Sequence, residues 1–259
     1  MNDVAGWDAR YSDDGDHIAK VSSMLSDLKK RSGTLGAIRS LRLDQARVLE
    51  IGCGTGQHSV ALATECPQWQ IDAIDMAPRA VTAACRLCES VRVPVHVALG
   101  DATRLPYEDG IFDVVFGDHV LGHIPDRGSA EREIVRVLKP GGFAIFNSGN
   151  ALRPDGWPLY HLLTHKPYLA RTFFPWTLSC EFRRLGCVRV GSYGSTLILT
   201  RGLSLIRPSR RRASAVGVMT GTVAVSSSKP GFIRRMYRYL DAHAPAWCKT
   251  DFGIVMRKL

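Results

Sequence analysis

The chain has 259 residues, 45% of them apolar, enough for one large core or one core with a smaller appendage. Its formal charge of +10 is unevenly placed: residues 1–150 hold 16 Lys and Arg against 20 Asp and Glu, whereas residues 151–259 hold 18 against 4. The absence of an 18-residue apolar run, of an apolar segment behind a basic N-terminus and of paired spacing among the seven cysteines speaks against a membrane span, a secretory leader and a disulfide framework. We therefore expect a cytoplasmic protein whose basic second half faces something anionic, such as an acidic substrate, nucleic acid or a membrane surface, or is simply solvated.

Residues 1–44 read as an N-terminal helical cap. Trp7 and Tyr11 precede a helix from Asp16, in which Ile18, Val21, Leu25 and Leu28 recur at helical spacing before a basic turn, Lys29–Arg31, and Gly33. The two aromatic residues either close over a ligand or pack on the edge of a sheet.

Residues 45–150 carry the most informative pattern. Val48–Ile51 predicts a strand, Gly52, Gly54 and Gly56 a tight turn, and Gln57–Glu65 a helix. Glycines at such a junction let backbone N–H groups approach a ligand with no Cβ in the way, and the helix N-terminus favours a negative group. A nucleoside-containing ligand fits this turn, but Gln57 stands where a dinucleotide fingerprint requires glycine. Trp69–Asp75 predicts a second strand, ending in an acid about 20 residues beyond the glycines, where a carboxylate can accept from both ribose hydroxyls. That acid suits NAD as well as another adenosine ligand.

A helix is expected over 78–91. It holds Cys85 and Cys88, which read as small apolar side chains because no second ligand pair accompanies them, so no metal is expected. Val93–Ala98 predicts a third strand, followed by Asp101, whose carboxylate could accept from an exocyclic amine. Ile111–Phe116 predicts a fourth strand running into Gly117, Asp118 and His119. A helix over 129–138, a turn at Leu138–Gly142 and a strand at Phe143–Phe146 follow. Strands alternating with helices, with polar groups at their carboxyl ends, predict an open doubly wound α/β sheet that binds its ligand across the strand tips.

Taken together, Val48–Gly56, Asp75, Gly100–Ala102 with Leu105 and Pro106, Phe112–Val115, Val120–Asp126 and Leu138–Gly142 resemble the class I S-adenosylmethionine-dependent methyltransferases, nearest to the small-molecule and quinone-biosynthesis type. The resemblance spans about residues 45–148. It implies a Rossmann-like seven-stranded sheet of order 3-2-1-4-5-7-6 with the last strand antiparallel, and S-adenosyl-L-methionine as cofactor. By the same resemblance Glu50 and the glycine turn (Gly52, Cys53, Gly54, Gly56) would hold the methionine moiety. Asp75 would hold the ribose, Met76 would lie on a face of the adenine, and Asp101 with Ala102 would read its amine; Tyr11 and Asp118 would complete the cofactor contacts. The family usually has histidine where this chain has Gly122, beside the retained His123, so a catalytic His pair is not expected. Should the acceptor need to lose a proton, His119 and His123 are the candidate bases.

Residues 151–259 form the acceptor-side half. A loop is expected over 153–158, a short helical piece over 160–165, a helix over 177–186, a sixth strand over 187–191 and a closing strand over 252–257. Between the last two lies an insertion, 194–246, with Arg210–Arg212 and an arginine-rich amphipathic segment from Gly231. It could cap a lipid-like substrate, touch an anionic membrane or dock on the sheet. The expected function is methyl transfer to an oxygen, nitrogen or carbon nucleophile of a small or lipid-like acceptor. The alternatives are an RNA methyltransferase gripping phosphates with the basic half, and a non-catalytic binding protein of the same fold; a dehydrogenase is disfavoured by Gln57 and the Leu138–Gly142 segment.

Overall fold

The computed structural model describes residues 4–9, 11, 32–149, 174, 176–194 and 251–259. The helix expected from Asp16, the loop and helical piece expected across 153–165, and all but the first residue of the insertion 194–246 lie outside them.

In chain order the described elements are α1 (Val4–Asp8), α2 (Gly33–Ser40), β1 (Arg47–Ile51), α3 (Gln57–Glu65), β2 (Gln70–Asp75), α4 (Pro78–Val91), β3 (Val95–Leu99), β4 (Phe112–Gly117), a 3₁₀ turn (Leu121–His123), α5 (Arg127–Val137), β5 (Leu138–Gly149), α6 (Thr177–Arg184), β6 (Cys187–Gly194) and β7 (Asp251–Lys258). The seven strands form one sheet of order β3-β2-β1-β4-β5-β7-β6. β1 to β5 run parallel to one another, and β7 is antiparallel to both β5 and β6. This is the expected order.

Side-chain alternation explains how so apolar a sheet is covered on both faces. Leu49, Val115 and Phe146 join a core with Ala130 and Ile134 of α5 and Leu178 and Phe182 of α6. Their neighbours Val48, Val114 and Ile145 point the other way, to Leu35 and Ile38 of α2 and Val60 and Leu62 of α3. Local signals set the helix ends. The Ser32 hydroxyl accepts from Leu35 N–H at the start of α2, Pro78 occupies the first turn of α4, and Asp126 accepts from Ser129 N–H at the start of α5.

Several strand boundaries differ from expectation: β1, β2, β4 and β7 by a residue at one or both ends, β6 by running on to Gly194, and β3 and β5 as follows. β3 starts at Val95 rather than Val93, after Pro94, which has no N–H for a ladder. β5 is longer than the expected 143–146: Leu138 already pairs with Phe112, residues 139–142 bulge out, and Phe143 resumes opposite Val114. The pairing with β7 carries the strand on to Gly149.

Candidate functional site at the carboxyl ends of the strands

In the glycine turn, Gly52 and Gly54 both have left-handed backbones, with φ of 67° and 53°. A Cβ on Gly52 would stand 2.5 Å from Val120 Cγ2, so the turn also needs glycine for packing. The open face at Gly54 is different: the first atom a Cβ there would meet is the Tyr11 hydroxyl, at 3.1 Å.

Asp75, at the tip of β2, fastens this turn. Its Oδ2 accepts from Gly54 N–H at 2.8 Å and its Oδ1 from Ala77 N–H at 2.9 Å. Burial raises the pKa of this carboxyl, and the bonds from Ala77 and Gly54 partly offset that. Each oxygen retains a lone pair for a further donor. Gly100 N–H donates to Asp75 C=O at 3.0 Å, bringing the tip of β3 alongside. There Ala102 is buried, while Asp101 is exposed and accepts from Thr103 N–H at 2.8 Å. Met76 lies half-buried between Asp75 and Ala77.

Tyr11 lies over the glycine turn, Trp7 packs edge-on against His123 with ring centroids 4.6 Å apart, and Asp8 accepts from Arg79 N–H at 2.7 Å. The N-terminal segment thus crosses the strand tips from β1 to the turn after β4. Gly122 is buried in that turn next to His123.

Glu50 lies beneath the turn, 1% exposed, with Oε2 accepting from Ser59 N–H at 3.0 Å and Ser59 Oγ–H at 2.5 Å. Burial pushes its pKa up to about 8, against the Ser59 hydrogen bonds, so it is protonated at neutral pH. Cys53 is buried beside it, and burial raises its thiol well above the usual range.

The tip of β4 carries a polar network that the sequence showed only in part. Asp118 Oδ1 accepts from Thr34 Oγ1–H at 2.8 Å and Asn147 Nδ2–H at 2.7 Å, and its Oδ2 lies 3.4 Å from His119 Nδ1. His119 Nε2 is in turn 3.4 Å from Asp251 Oδ1, and Asn147 Oδ1 accepts from His119 N–H at 2.6 Å. Burial opposes charge on Asp118, but His58, His119 and Thr34 outweigh it and hold the carboxyl below its ordinary range. Burial also opposes charge on His119, yet the flanking carboxylates of Asp118 and Asp251 raise its pKa to about 10. These contacts favour the imidazolium form of His119 over the neutral imidazole that a base requires.

His58 was not singled out from sequence. It lies between the two acids, with Nδ1 3.6 Å from Glu50 Oε1 and Nε2 4.0 Å from Asp118 Oδ1, and burial lowers its pKa. Its place in the first turn of the helix after the glycines could have signalled it. Thr34, Asn147, Tyr193 and Asp251 come from four other elements, and only the sheet order brings them together.

The methyltransferase-domain family profile matches residues 49–146, from β1 through β5. The 2-methyl-6-phytyl-1,4-hydroquinone methyltransferase of Synechocystis is 32% identical over 130 residues, covering 50% of this chain and 40% of that protein. The malonyl-acyl-carrier-protein O-methyltransferase of Legionella pneumophila is 27% identical over 154 residues, 60% of this chain and 51% of that one. The chain thus spans about half the length, or less, of these two relatives. A solved SAM-dependent methyltransferase from Aquifex aeolicus shares the fold, with a TM-score of 0.59, 13% identity and coverage of 93% of this chain and 98% of that one. Residues 49–146 are a methyltransferase domain, and the sheet that contains them has the class I methyltransferase fold.

Proposed function

We propose that the protein is an S-adenosylmethionine-dependent methyltransferase acting on a small or lipid-like acceptor. The observation that carries this reading is the left-handed glycine turn fastened to Asp75 through Gly54 N–H, with Tyr11 over its open face. The cradle fits the cofactor: a Cβ at Gly54 would fill the space under Tyr11, and both Asp75 oxygens can take a further hydroxyl donor.

In this reading the Gly52–Gly56 turn holds the methionine moiety of the cofactor and Asp75 its ribose, with Met76, Asp101 and Ala102 at the adenine end. Tyr11 and Trp7 exclude water from above, and Glu50 supports the turn from below through Ser59. Bound there, S-adenosylmethionine supplies an already activated sulfonium methyl, so the protein's contribution is chiefly alignment of the acceptor and shielding from water. His119 contributes a fixed positive charge, and His123, against Trp7, is the candidate for receiving an acceptor proton. Acceptor choice belongs to the basic half of the chain after residue 150.

The two relatives above act, by their names, on a hydroquinone and on a malonyl-acyl-carrier protein, which supports a small or lipid-like acceptor and does not favour RNA. Incubating the protein with cell extract and S-adenosylmethionine labelled in the methyl group tests the proposal. Label is expected in the lipid or small-molecule fraction; label confined to RNA, or none in any fraction, contradicts it.

A further inference from the structure

Tyr193 projects from the edge strand β6, outside the matched methyltransferase segment, and reaches the tip of β4 through one intermediary. Its hydroxyl is 3.0 Å from Thr34 Oγ1, and Thr34, fully buried, is 2.8 Å from Asp118 Oδ1. Direction follows from counting hydrogens. An ionised Asp118 can only accept, so Thr34 spends its single O–H on Asp118, and Tyr193 must donate to Thr34. The result is an oriented chain of two O–H donors ending on a carboxylate, in which each bond polarises the next.

The tyrosine ring is held by two glycines from distant parts of the sequence. A Cβ on Gly33 would lie 2.7 Å from its Cδ2, and one on Gly253 would lie 2.1 Å from its Cζ. Burial pushes the phenol pKa upward, so it stays a donor at neutral pH. At the far end of the chain, Asp118 faces His119, whose own backbone is left-handed at φ 56° and is held by Asn147. A non-glycine residue in that conformation persists only where its surroundings over-determine it. Tyr193 and Asp251, which flank the stretch 195–250, are therefore tied to one carboxylate from opposite sides, the first through Thr34 and the second through His119.

We propose that Tyr193 is a positioning residue for the strand-tip pair Asp118 and His119, acting through Thr34. Its relevance to catalysis rests on the reading of the strand tips as the reaction side, but the arrangement itself can be tested without cofactor or turnover.

The experiment is an NMR pH titration of the His119 imidazole in the wild type, Tyr193→Phe, Thr34→Val and Thr34→Ser, with melting curves recorded in parallel. The groups facing His119 are Asp118 and Asp251, with His58 beyond Asp118. If the hydroxyl chain fixes Asp118 against His119, Tyr193→Phe and Thr34→Val loosen that contact. The midpoint should then fall from about 10 by about one pH unit. Thr34→Ser, which keeps the hydroxyl, should stay with the wild type. The double variant Tyr193→Phe/Thr34→Val should shift no further than Thr34→Val alone, as expected for members of one chain. A Tyr193→Phe midpoint that is unchanged or raised overturns the proposal, even if its melting temperature falls. So does a Thr34→Ser midpoint that drops with that of Thr34→Val, because packing would then be responsible. Failure to bind S-adenosylmethionine would sink the functional reading and leave this result standing.

Discussion

The two edges of the sheet use the same residue types to opposite ends. At the amino edge, Arg47 Nε lies 3.5 Å from Asp72, His96 3.0 Å from Asp72 and Lys139 2.9 Å from Asp113; the basic partner's side chain is 39%, 71% and 44% exposed, respectively. In these pairs the basic partner stays in solvent even where the acid is buried, as Asp72 is, so each contributes little to stability. At the carboxyl edge, Glu50, Asp75 and Asn147 are all less than 10% exposed; burial moves Glu50 up to about 8, while hydrogen bonds to Asp118 and Asp251 move the part-exposed His119 up to about 10. Buried, displaced titrating groups beside a glycine turn mark where a protein holds ligands and controls charge. Composition alone does not separate the edges; depth and hydrogen bonding do.

The largest expected effect is on the turn itself. Gly52→Ala places a Cβ 2.5 Å from Val120 on a left-handed backbone, which should cost about 3 kcal/mol from strain and overpacking combined. A large drop in melting temperature and loss of cofactor binding would show it. Next comes Asp75→Ala, which leaves the N–H groups of Gly54 and Ala77 without their acceptor. The turn should lose stability, and cofactor affinity should fall about 100-fold, since hydrogen bonds from the ribose hydroxyls to a charged group, worth roughly 1.5–3 kcal/mol each, are lost. An affinity within twofold of wild type would show that this carboxylate is not part of the site.

Glu50 provides the pH test. Its folded pKa of about 8 lies above that of an exposed glutamate, so the folded state binds this proton more tightly. The stability it contributes is complete at low pH and is lost as pH rises through about 8, by on the order of a few kcal/mol. Glu50→Gln, which mimics the protonated form, should flatten the decline in melting temperature between pH 5 and pH 8. An unchanged slope would mean that Glu50 is ionised throughout. Smallest is Lys139→Ala at the amino edge, expected to change stability by at most about 0.5 kcal/mol and to leave cofactor binding intact. A larger effect there would erase the contrast between the edges.

The fold was legible because its signals are local. Val48–Ile51 with the glycines, the acid ending β2 and the apolar run in β4 each announce a strand or a turn over a few residues. The start of β3 slipped past a local signal, Pro94, whereas the end of β5 was set by a partner: it outran its apolar run because β7 pairs with it as far as Gly149. Asp75 and the turn were legible for the same local reason. The network around Asp118 was not, because Thr34, Asn147, Tyr193 and Asp251 are distant in sequence and meet only when β4, β5, β7 and β6 lie side by side in that order. His119 was visible as a histidine at a strand tip beside Asp118, but the second carboxylate that favours its charge, Asp251, is more than 100 residues away.

Calorimetric titration of the protein with S-adenosylmethionine, S-adenosylhomocysteine and NAD asks whether the carboxyl edge is an S-adenosylmethionine site. Saturable one-to-one binding of the first two and none of NAD is the expected result; binding of NAD, or no heat with either adenosyl compound, would contradict it.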